Sequence, residues 1–189
     1  PLAAEEIEKI LRNFEGIVVV DEAYSDFSER MPFRLQLDQF PNLIVLNTFS
    51  KAWAAASIRL GLAFASPEII SYFNKVKYPY NVNLLTQKEA LSLLHNRREV
   101  ERWVMQVLDE RPKLMAAIEE LPICLKVYPS EANFFLAKMR NATDIYNYLI
   151  DCGVVVRNRH KVTLCDNCLR ITVGTPNENS TLLAALRKY

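Results

Sequence analysis

Three short apolar runs near the start of the chain constrain its fold more than any other feature. They cover residues 17–20, 43–46 and 61–65, and each ends abruptly in polar residues. Runs of this length without polar alternation are typical of strands that are buried on both faces of a parallel sheet. The sequence therefore predicts an α/β sheet domain, with an amphipathic helix over residues 5–14 ahead of the first strand.

The second half of the chain has a different pattern. From residue 84 to residue 118 the apolar residues keep one helical face, and Pro112 is expected to kink or break that helix. Four further apolar runs cover residues 125–128, 133–137, 154–156 and 169–173. They alternate with two helical patterns, at residues 143–150 and 180–186. This alternation predicts two domains: residues 1–95 form the larger sheet domain, and residues 96–189 form a long connecting helix and a small α+β domain.

The charge and the apolar content of the chain limit the kinds of partner that it can bind. The 23 Lys and Arg residues against 22 Asp and Glu leave a formal charge of +1, so there is no basic surplus for nucleic acid or for an anionic membrane. No apolar stretch approaches the roughly 20 residues that cross a bilayer. The N-terminal segment, residues 1–8, is acidic, which is unlike a signal peptide, and it lacks an initiator Met, so we expect the chain to begin within a protein or after processing. A small-molecule partner is expected.

Four cysteines in 189 residues are too sparse for a disulfide scaffold and are typical of a reducing cytoplasm. Cys165 and Cys168 have the spacing of a metal or redox pair. A structural zinc site would need a second pair of ligands, and the other cysteines and histidines show no such spacing. The sequence therefore predicts a cytoplasmic protein without a metal site.

Polar side chains follow the first two predicted strands. They are Asp21, Tyr24, Thr48, Ser50 and Lys51. Because ligands of open α/β sheets bind outside the carboxyl ends of the strands, we expect these side chains to share one site. Lys51 is expected to begin a helix of small residues over 52–57, whose N-terminus would bind a phosphate together with the nearby hydroxyls and the guanidinium of Arg59.

These groups are the ones that pyridoxal phosphate requires. The cofactor needs an amine for a Schiff base, a carboxylate to keep its pyridine nitrogen protonated, and a clamp for its phosphate. Lys51 supplies the amine, Asp21 the carboxylate, and Tyr24 a donor to the phenolic oxygen of the ring. Each residue alone is more simply a cap, a core aromatic or a surface charge, and it is the combination that favours a pyridoxal-phosphate site.

The motifs resemble those of the fold-type I aminotransferases. Thr48-Phe49-Ser50-Lys51-Ala52-Trp53, with Arg59 and Gly61 downstream, resembles the lysine segment of that family, and Asp21-Glu22-Ala23-Tyr24 resembles its pyridine-nitrogen segment. Further resemblances lie at 80–83, 132–134, 153–157 and 169–175. Within this fold type the chain is most similar to the histidinol-phosphate aminotransferase family.

The resemblance implies part of a mostly parallel fold-type I sheet domain, namely the C-terminal part of the large cofactor-binding domain, followed by a small C-terminal α+β domain. It implies transfer of an amino group between histidinol phosphate and 2-oxoglutarate or glutamate, in histidine biosynthesis, by a homodimer. Lys51 would hold the cofactor and carry the proton. Arg157 and Arg170 would bind the anionic ends of substrates, and Tyr80 and Asn133 would line the site.

The chain also departs from the family pattern. Relatives often carry Gly where this chain has Ala54 and Ser57. The asparagine, the stacking aromatic and the phosphate turn that the family places before the segment of Asp21 are absent. We therefore expect the chain as given to bind the cofactor weakly or not at all, and we expect the apolar face of its incomplete sheet to favour association or instability.

Other interpretations of the same residues remain open. One is another fold-type I enzyme, such as a threonine-phosphate decarboxylase or an aromatic or aspartate aminotransferase. A second is a non-catalytic fragment or interaction module. Hydrolytic catalysis has little support, because His95 and His160 show no arrangement with a nucleophile and both are expected to be exposed.

Overall fold

The computed structural model describes residues 2–189, in two compact units. The division lies between Glu101 and Arg102, within a helix that spans Arg97–Glu119, whereas the sequence placed the boundary after His95. Each unit has a sheet of its own. Among the described residues, no helix combines the length and the apolar character that crossing a membrane would require.

The first unit is built on a three-stranded sheet. Its helices and strands are α1 (Ala4–Asn13), β1 (Val18–Asp21), β2 (Leu43–Thr48), β3 (Gly61–Ala65), α2 (Pro67–Val76) and α3 (Leu84–His95). The predicted first helix and all three predicted strands are thus confirmed. The order is β1-β2-β3, with β1 parallel and β3 antiparallel to β2. Since Gly61 pairs with Thr48, it is the start of β3, not its end, that adjoins the end of β2.

Burial on both faces of these strands was predicted, and it is wrong for β1 and β3. Val19 in β1 is 54% exposed, β3 begins with three exposed residues, and only the first three residues of β2 are fully buried. The reason is that the described helices cover one side of the sheet. On that side Leu11 of α1 and two phenylalanines of the β1–β2 connection, Phe33 and Phe40, pack against Leu43 and Val45.

The segment after β2 is not the predicted helix. Residues 50–53 form a turn, and the only helical part is a short 3-10 helix over Ala56–Ile58. Ala54 has a φ of 52°, in the left-handed region, so an α-helix cannot run through it. Packing overrides the helix propensity of the alanines, because Phe49 and Ala55 are buried against Ala90 of α3.

The second unit is a four-stranded antiparallel sheet with helices on one side. Beyond the helix α4 (Arg97–Glu119), it contains β4 (Cys124–Val127), β5 (Phe134–Met139), α5 (Ala142–Asp151), β6 (Arg157–Asn158), β7 (Cys168–Thr172) and α6 (Pro176–Lys188). The strand order is β4-β5-β7-β6. Alternate residues of β5 and β7 are at most 1% exposed and pack with the helices, namely Phe135, Ala137, Met139, Leu169 and Ile171. The other side of the sheet is more open.

Pro112 does not break its helix, so of the two predicted effects, a kink or a break, the break does not occur. α4 continues to Glu119, because Leu114 and Ile118, both within 2% of complete burial, hold the following turns in the core of the second unit. The apolar run at residues 154–156 is not itself a strand, and the short strand that follows it is Arg157–Asn158. Gly153, with a φ of 74°, ends α5, and the next amide bonds back to Leu149, so this stretch is the exit of a helix.

Candidate functional site

Lys51 and Tyr24 come together at the carboxyl ends of β1 and β2. The ammonium nitrogen of Lys51 lies 5.2 Å from the ring centroid of Tyr24. The two residues are brought together by the parallel pairing of β1 with β2, which makes both chains leave the sheet at the same edge. Lys51 is exposed and Tyr24 is half-buried, so the amine is open to reaction while the phenol is held by the fold.

Asp21 is the last residue of β1 and pairs with Leu46 in the sheet. Its Oδ1 accepts a hydrogen bond of 2.9 Å from the amide of Ala23, which holds the carboxylate at the end of the strand. The carboxylate is exposed on the same edge from which Tyr24 projects. The acid, the phenol and the amine that the sequence singled out therefore belong to one edge of one sheet.

Thr48 and Ser50 form the hydroxyl pair that was predicted to bind a phosphate. The Thr48 hydroxyl lies 2.9 Å from the Ser50 hydroxyl, and it accepts a hydrogen bond from the Ser50 amide at 3.0 Å. Arg59 precedes β3, which pairs with β2 at Thr48, and donates to the carbonyl of Ala56 at 2.9 Å. Because no helix starts at Lys51, an anion here would be bound by hydroxyls and a guanidinium without a helix dipole.

Glu22 is a residue of this edge that the sequence analysis did not single out. Its carboxylate is 7% exposed and accepts hydrogen bonds from the amide of Phe33 at 2.5 Å and from Arg34 at 3.1 Å. Arg34 also donates to the hydroxyl of Ser25. Asn47 adds a bond to the carbonyl of Glu22. The segment that carries Asp21 and Tyr24 is therefore fixed from behind by a buried ion pair.

In the second unit, Arg157 and Arg170 lie directly opposite each other on β6 and β7. Side chains opposite each other in an antiparallel pair project to the same face, and like charges there repel. Arg170 stacks on the ring of Phe134 at 4.9 Å, and its buried Nε lacks a hydrogen-bond partner among the described residues. Two guanidinium groups on one face of a sheet could bind one anion together.

Two weaker candidates behave differently. Asn133 directly precedes β5, and its carbonyl accepts the amide of Val173 at 2.9 Å, next to the strand that carries Arg170. Tyr80 lies in the connection between α2 and α3 and is 94% exposed. The structure places Asn133 beside the end of β7, and it leaves the Tyr80 side chain exposed.

The cysteine pair forms a tight turn before β7, in which the amide of Cys168 donates to the carbonyl of Cys165 at 3.0 Å. Both thiols are free. Among residues 2–189 there is no group of three or more His, Cys, Asp or Glu side chains that could hold a metal ion. His95 and His160 are both exposed, as predicted.

Comparison with known proteins places these features in a family. Residues 2–186 match the family described as aminotransferase class I and II. The histidinol-phosphate aminotransferase of Bacteroides thetaiotaomicron is 57% identical over the whole of this chain, which covers 54% of that protein. The chain therefore spans about half the length of the curated relatives it matches.

Two solved structures share the fold. The histidinol-phosphate aminotransferase from Clostridium acetobutylicum matches with a TM-score of 0.90 at 20% identity, over 99% of this chain and 59% of the other. The enzyme of the same name from Sinorhizobium meliloti, in complex with pyridoxal-5'-phosphate, matches with a TM-score of 0.85 at 23% identity, over 99% of this chain and 53% of the other. The predicted α/β fold is thus confirmed as part of a larger one.

Proposed function

The chain belongs to the aminotransferase class I and II family, and from this membership we propose that it is part of an enzyme that transfers an amino group between histidinol phosphate and 2-oxoglutarate with pyridoxal phosphate as cofactor. The observation that carries the proposal is the position of Lys51. Its ammonium group stands at the end of a strand beside Tyr24, and Asp21 ends the neighbouring parallel strand. High identity to enzymes named for this reaction supports the choice of substrate.

The groups of the first unit fit the cofactor. Lys51 would attach to it, Asp21 would face its pyridine nitrogen, and Tyr24 would donate to its phenolic oxygen. Thr48, Ser50 and Arg59 would bind its phosphate, since hydroxyl and guanidinium groups are suitable partners for an oxyanion. When bound, pyridoxal phosphate supplies an electron sink for the pair of electrons left at the substrate Cα.

Lys51 would have a second role as a base. As a free amine, its Nζ would take the proton from the substrate Cα and would deliver it on the far side of the substrate nitrogen, two bonds away. Because Lys51 is exposed and its carbon chain is flexible, the amine can reach both positions. Asp21 would favour the same step, because a carboxylate beside the pyridine nitrogen would keep a positive charge on it.

Arg157 and Arg170 would bind the phosphate of histidinol phosphate. Two guanidinium groups on one face of a sheet suit a dianion, which needs more than one positive charge and several donors. Arg170 also suits a carboxylate, because its buried Nε has no hydrogen-bond partner among residues 2–189. A phosphorylated donor and a dicarboxylic acceptor would thus use the same cationic pair in turn.

Chemical trapping tests the role of Lys51. The whole enzyme that contains this chain is reduced with borohydride and digested, and the pyridoxyl-labelled peptide is identified by mass spectrometry. We expect the label on Lys51, and we expect Lys51→Ala to lose it while Lys77→Ala, an exposed lysine of the same unit, keeps it. A label on any other lysine would overturn the assignment.

Substrate choice is tested separately. The whole enzyme is assayed with histidinol phosphate and 2-oxoglutarate, and in parallel with phosphothreonine as the substrate of the rival decarboxylase. We expect turnover of histidinol phosphate and no release of carbon dioxide from phosphothreonine. Arg157→Gln is expected to raise the KM for histidinol phosphate more than tenfold, because the phosphate loses one of two charged partners, at roughly 1.5–3 kcal/mol each. Absence of turnover with histidinol phosphate contradicts the proposal.

A further inference from the structure

The sheet of the second unit has one side that is not packed against the helices. Phe135, Ala137 and Met139 point to the helices, so the residues between them in β5 point the other way. We call this other side the open face. It is formed by residues of all four strands, and it carries four cations: Lys126, Lys138, Arg157 and Arg170.

The two lysines repeat the arrangement of the two arginines. Lys126 of β4 lies directly opposite Lys138 of β5, so a second pair of like charges projects from the same face. Lys138 in turn pairs with Cys168 of β7, two residues before Arg170. Burial and the neighbouring Cys165 raise the pKa of the Cys168 thiol, while the charge of Lys138 acts in the opposite direction, as its position beside that thiol requires.

None of these four side chains forms an ion pair within residues 2–189, although Asp166 lies close enough to raise the pKa of the Cys168 thiol beside Lys138. Two ion pairs of the second unit lie on helix α4, where Lys113 contacts Asp109 and Glu110. Lys126 and Arg170 instead rest on aromatic rings, those of Tyr128 at 5.0 Å and Phe134 at 4.9 Å. Aromatic faces hold the cations in place without reducing their charge. The open face thus combines four positive charges, two of which rest on aromatic rings.

We propose that Lys126 and Lys138 form a second anion-binding pair on the open face, which attracts phosphate monoesters and passes them to Arg157 and Arg170. This inference rests on the proposed function, because it assigns the phosphorylated substrate to one surface. Lys138 and Arg170 are diagonal neighbours across β5 and β7, about 7–8 Å apart, which is about one Debye length at physiological salt. Their fields add, and a dianion leaving one pair is attracted by the next.

Steady-state kinetics of the whole enzyme test the lysine pair. The variant Lys126→Gln/Lys138→Gln is compared with Arg187→Gln/Lys188→Gln, which removes two charges from α6, on the opposite side of the sheet. At low ionic strength we expect the first variant to reduce kcat/KM for histidinol phosphate by about threefold to tenfold with kcat unchanged, because steering acts on encounter. The α6 variant is expected to stay within about twofold of the parent.

Salt and substrate distinguish steering from a structural effect. The deficit of the lysine variant is expected to shrink as salt is raised, since screening removes the attraction in the parent as well. The deficit in kcat/KM is expected to be smaller with glutamate as the substrate, because glutamate lacks a phosphate group. Lys126→Arg/Lys138→Arg is expected to restore the parent value. A deficit that persists in high salt, or that the arginine variant does not rescue, would overturn the proposal.

Binding of inorganic phosphate to the whole enzyme that contains this chain, followed by NMR, separates this inference from the proposed function. We expect saturable shifts at the amides of Lys126 and Lys138 as well as at Arg157 and Arg170, and we expect the glutamines at 126 and 138 to remove those at β4 and β5. Such binding in an enzyme without transaminase activity would support the second pair and refute the proposed reaction. Shifts confined to the two arginines would refute the second pair alone.

Discussion

Glu22 shows how one side chain can determine the position of its neighbours. The carboxylate is buried beside Asp21, and it accepts bonds from an amide and a guanidinium of the following loop. Neither partner of Glu22 is near in sequence: Phe33 and Arg34 lie 11 and 12 residues farther along the chain. The position of the segment Asp21–Tyr24 therefore depends on a contact that no local pattern reveals.

Removal of the Glu22 carboxylate is expected to lower the stability of the fold. Glu22→Ala leaves the Phe33 amide without its acceptor and Arg34 without its partner, so we expect a loss of about 2–4 kcal/mol in the free energy of unfolding, measured with urea. Glu22→Gln, which keeps an acceptor for the amide, is expected to lose less. Glu8→Ala, which breaks an exposed pair with Arg12, serves as the control and should cost at most about 0.5 kcal/mol. Equal losses at the two positions would refute this role for Glu22.

Among the residues of the site, those with a fixed spacing could be predicted and those with distant partners could not. The lysine segment and the aspartate segment each follow a strand, so their meeting at one edge follows from parallel pairing. The opposition of Arg157 and Arg170 could not be read from the chain, because the apolar run at 154–156 ends before Arg157 and does not indicate which residues pair. A shift of one residue turns every side chain of a strand to the other face.

At the scale of single elements, α6 carries its own start signal. Thr175 caps the helix, and Glu178 accepts bonds from the amide and the hydroxyl of Thr175 in a capping box. These bonds, the one from the amide first, lower the pKa of the Glu178 carboxyl. A lowered native pKa means that the carboxylate stabilises the fold at neutral pH, and that this contribution disappears as the pH falls through the native pKa.

We therefore expect Glu178→Gln to reduce stability at neutral pH by about 0.5 kcal/mol and to have a smaller effect in acid. The difference from the parent should decrease as the pH falls from about 5 to about 3. Urea titrations at several pH values measure this difference in stability. Glu120→Gln, which changes an exposed residue after α4, is the control. A difference that is constant over this range would show that the charge of Glu178 plays no part.

Helix α4 carries a proline that it tolerates only because of packing. Pro112 cannot donate to the carbonyl four residues earlier, and a proline in a helix interior costs about 3 kcal/mol. We expect Pro112→Ala to raise the free energy of unfolding by about 1–2 kcal/mol, less than the full cost, because alanine also frees the unfolded chain. Pro176→Ala is the matched control, since Pro176 stands at the first position of α6, where proline is favourable. A loss of stability in Pro112→Ala would contradict this account.

For the molecule as a whole, the two units differ in how well their sheets are covered. In the second unit one face is buried completely under helices, whereas in the first unit apolar residues remain on the face opposite α1. Ile17, Val19 and Leu46 are between 38% and 54% exposed there. An apolar sheet face of this kind is a site of association.

We expect the isolated 189-residue chain to associate through that face. Sedimentation velocity at increasing concentration should show oligomers, and Val19→Thr/Leu46→Thr should reduce them. Leu35→Thr/Leu125→Thr, which changes exposed leucines outside this face, is the control and should leave association unchanged. If both variants dissociate equally, general surface hydrophobicity is the cause and the sheet face has no special role.

The sequence by itself determined the elements and the chemistry of the edge around Lys51. Apolar periodicity is local, so α1, β1, β2 and β3 could be placed within a residue or two. The spacing of Asp21, Tyr24 and Lys51 after two strands was enough to predict a pyridoxal-phosphate site. These conclusions needed only neighbours along the chain.

The tertiary structure alone decided which of the predicted elements form and which charged side chains lie opposite each other. Packing removed the predicted helix after Lys51 and kept α4 intact through Pro112, because burial of apolar side chains exceeds the local preferences of single residues. Register brought Arg157 opposite Arg170, and Lys126 opposite Lys138. Register is set by the fit of whole strands against a core, so no segment of the chain contains it.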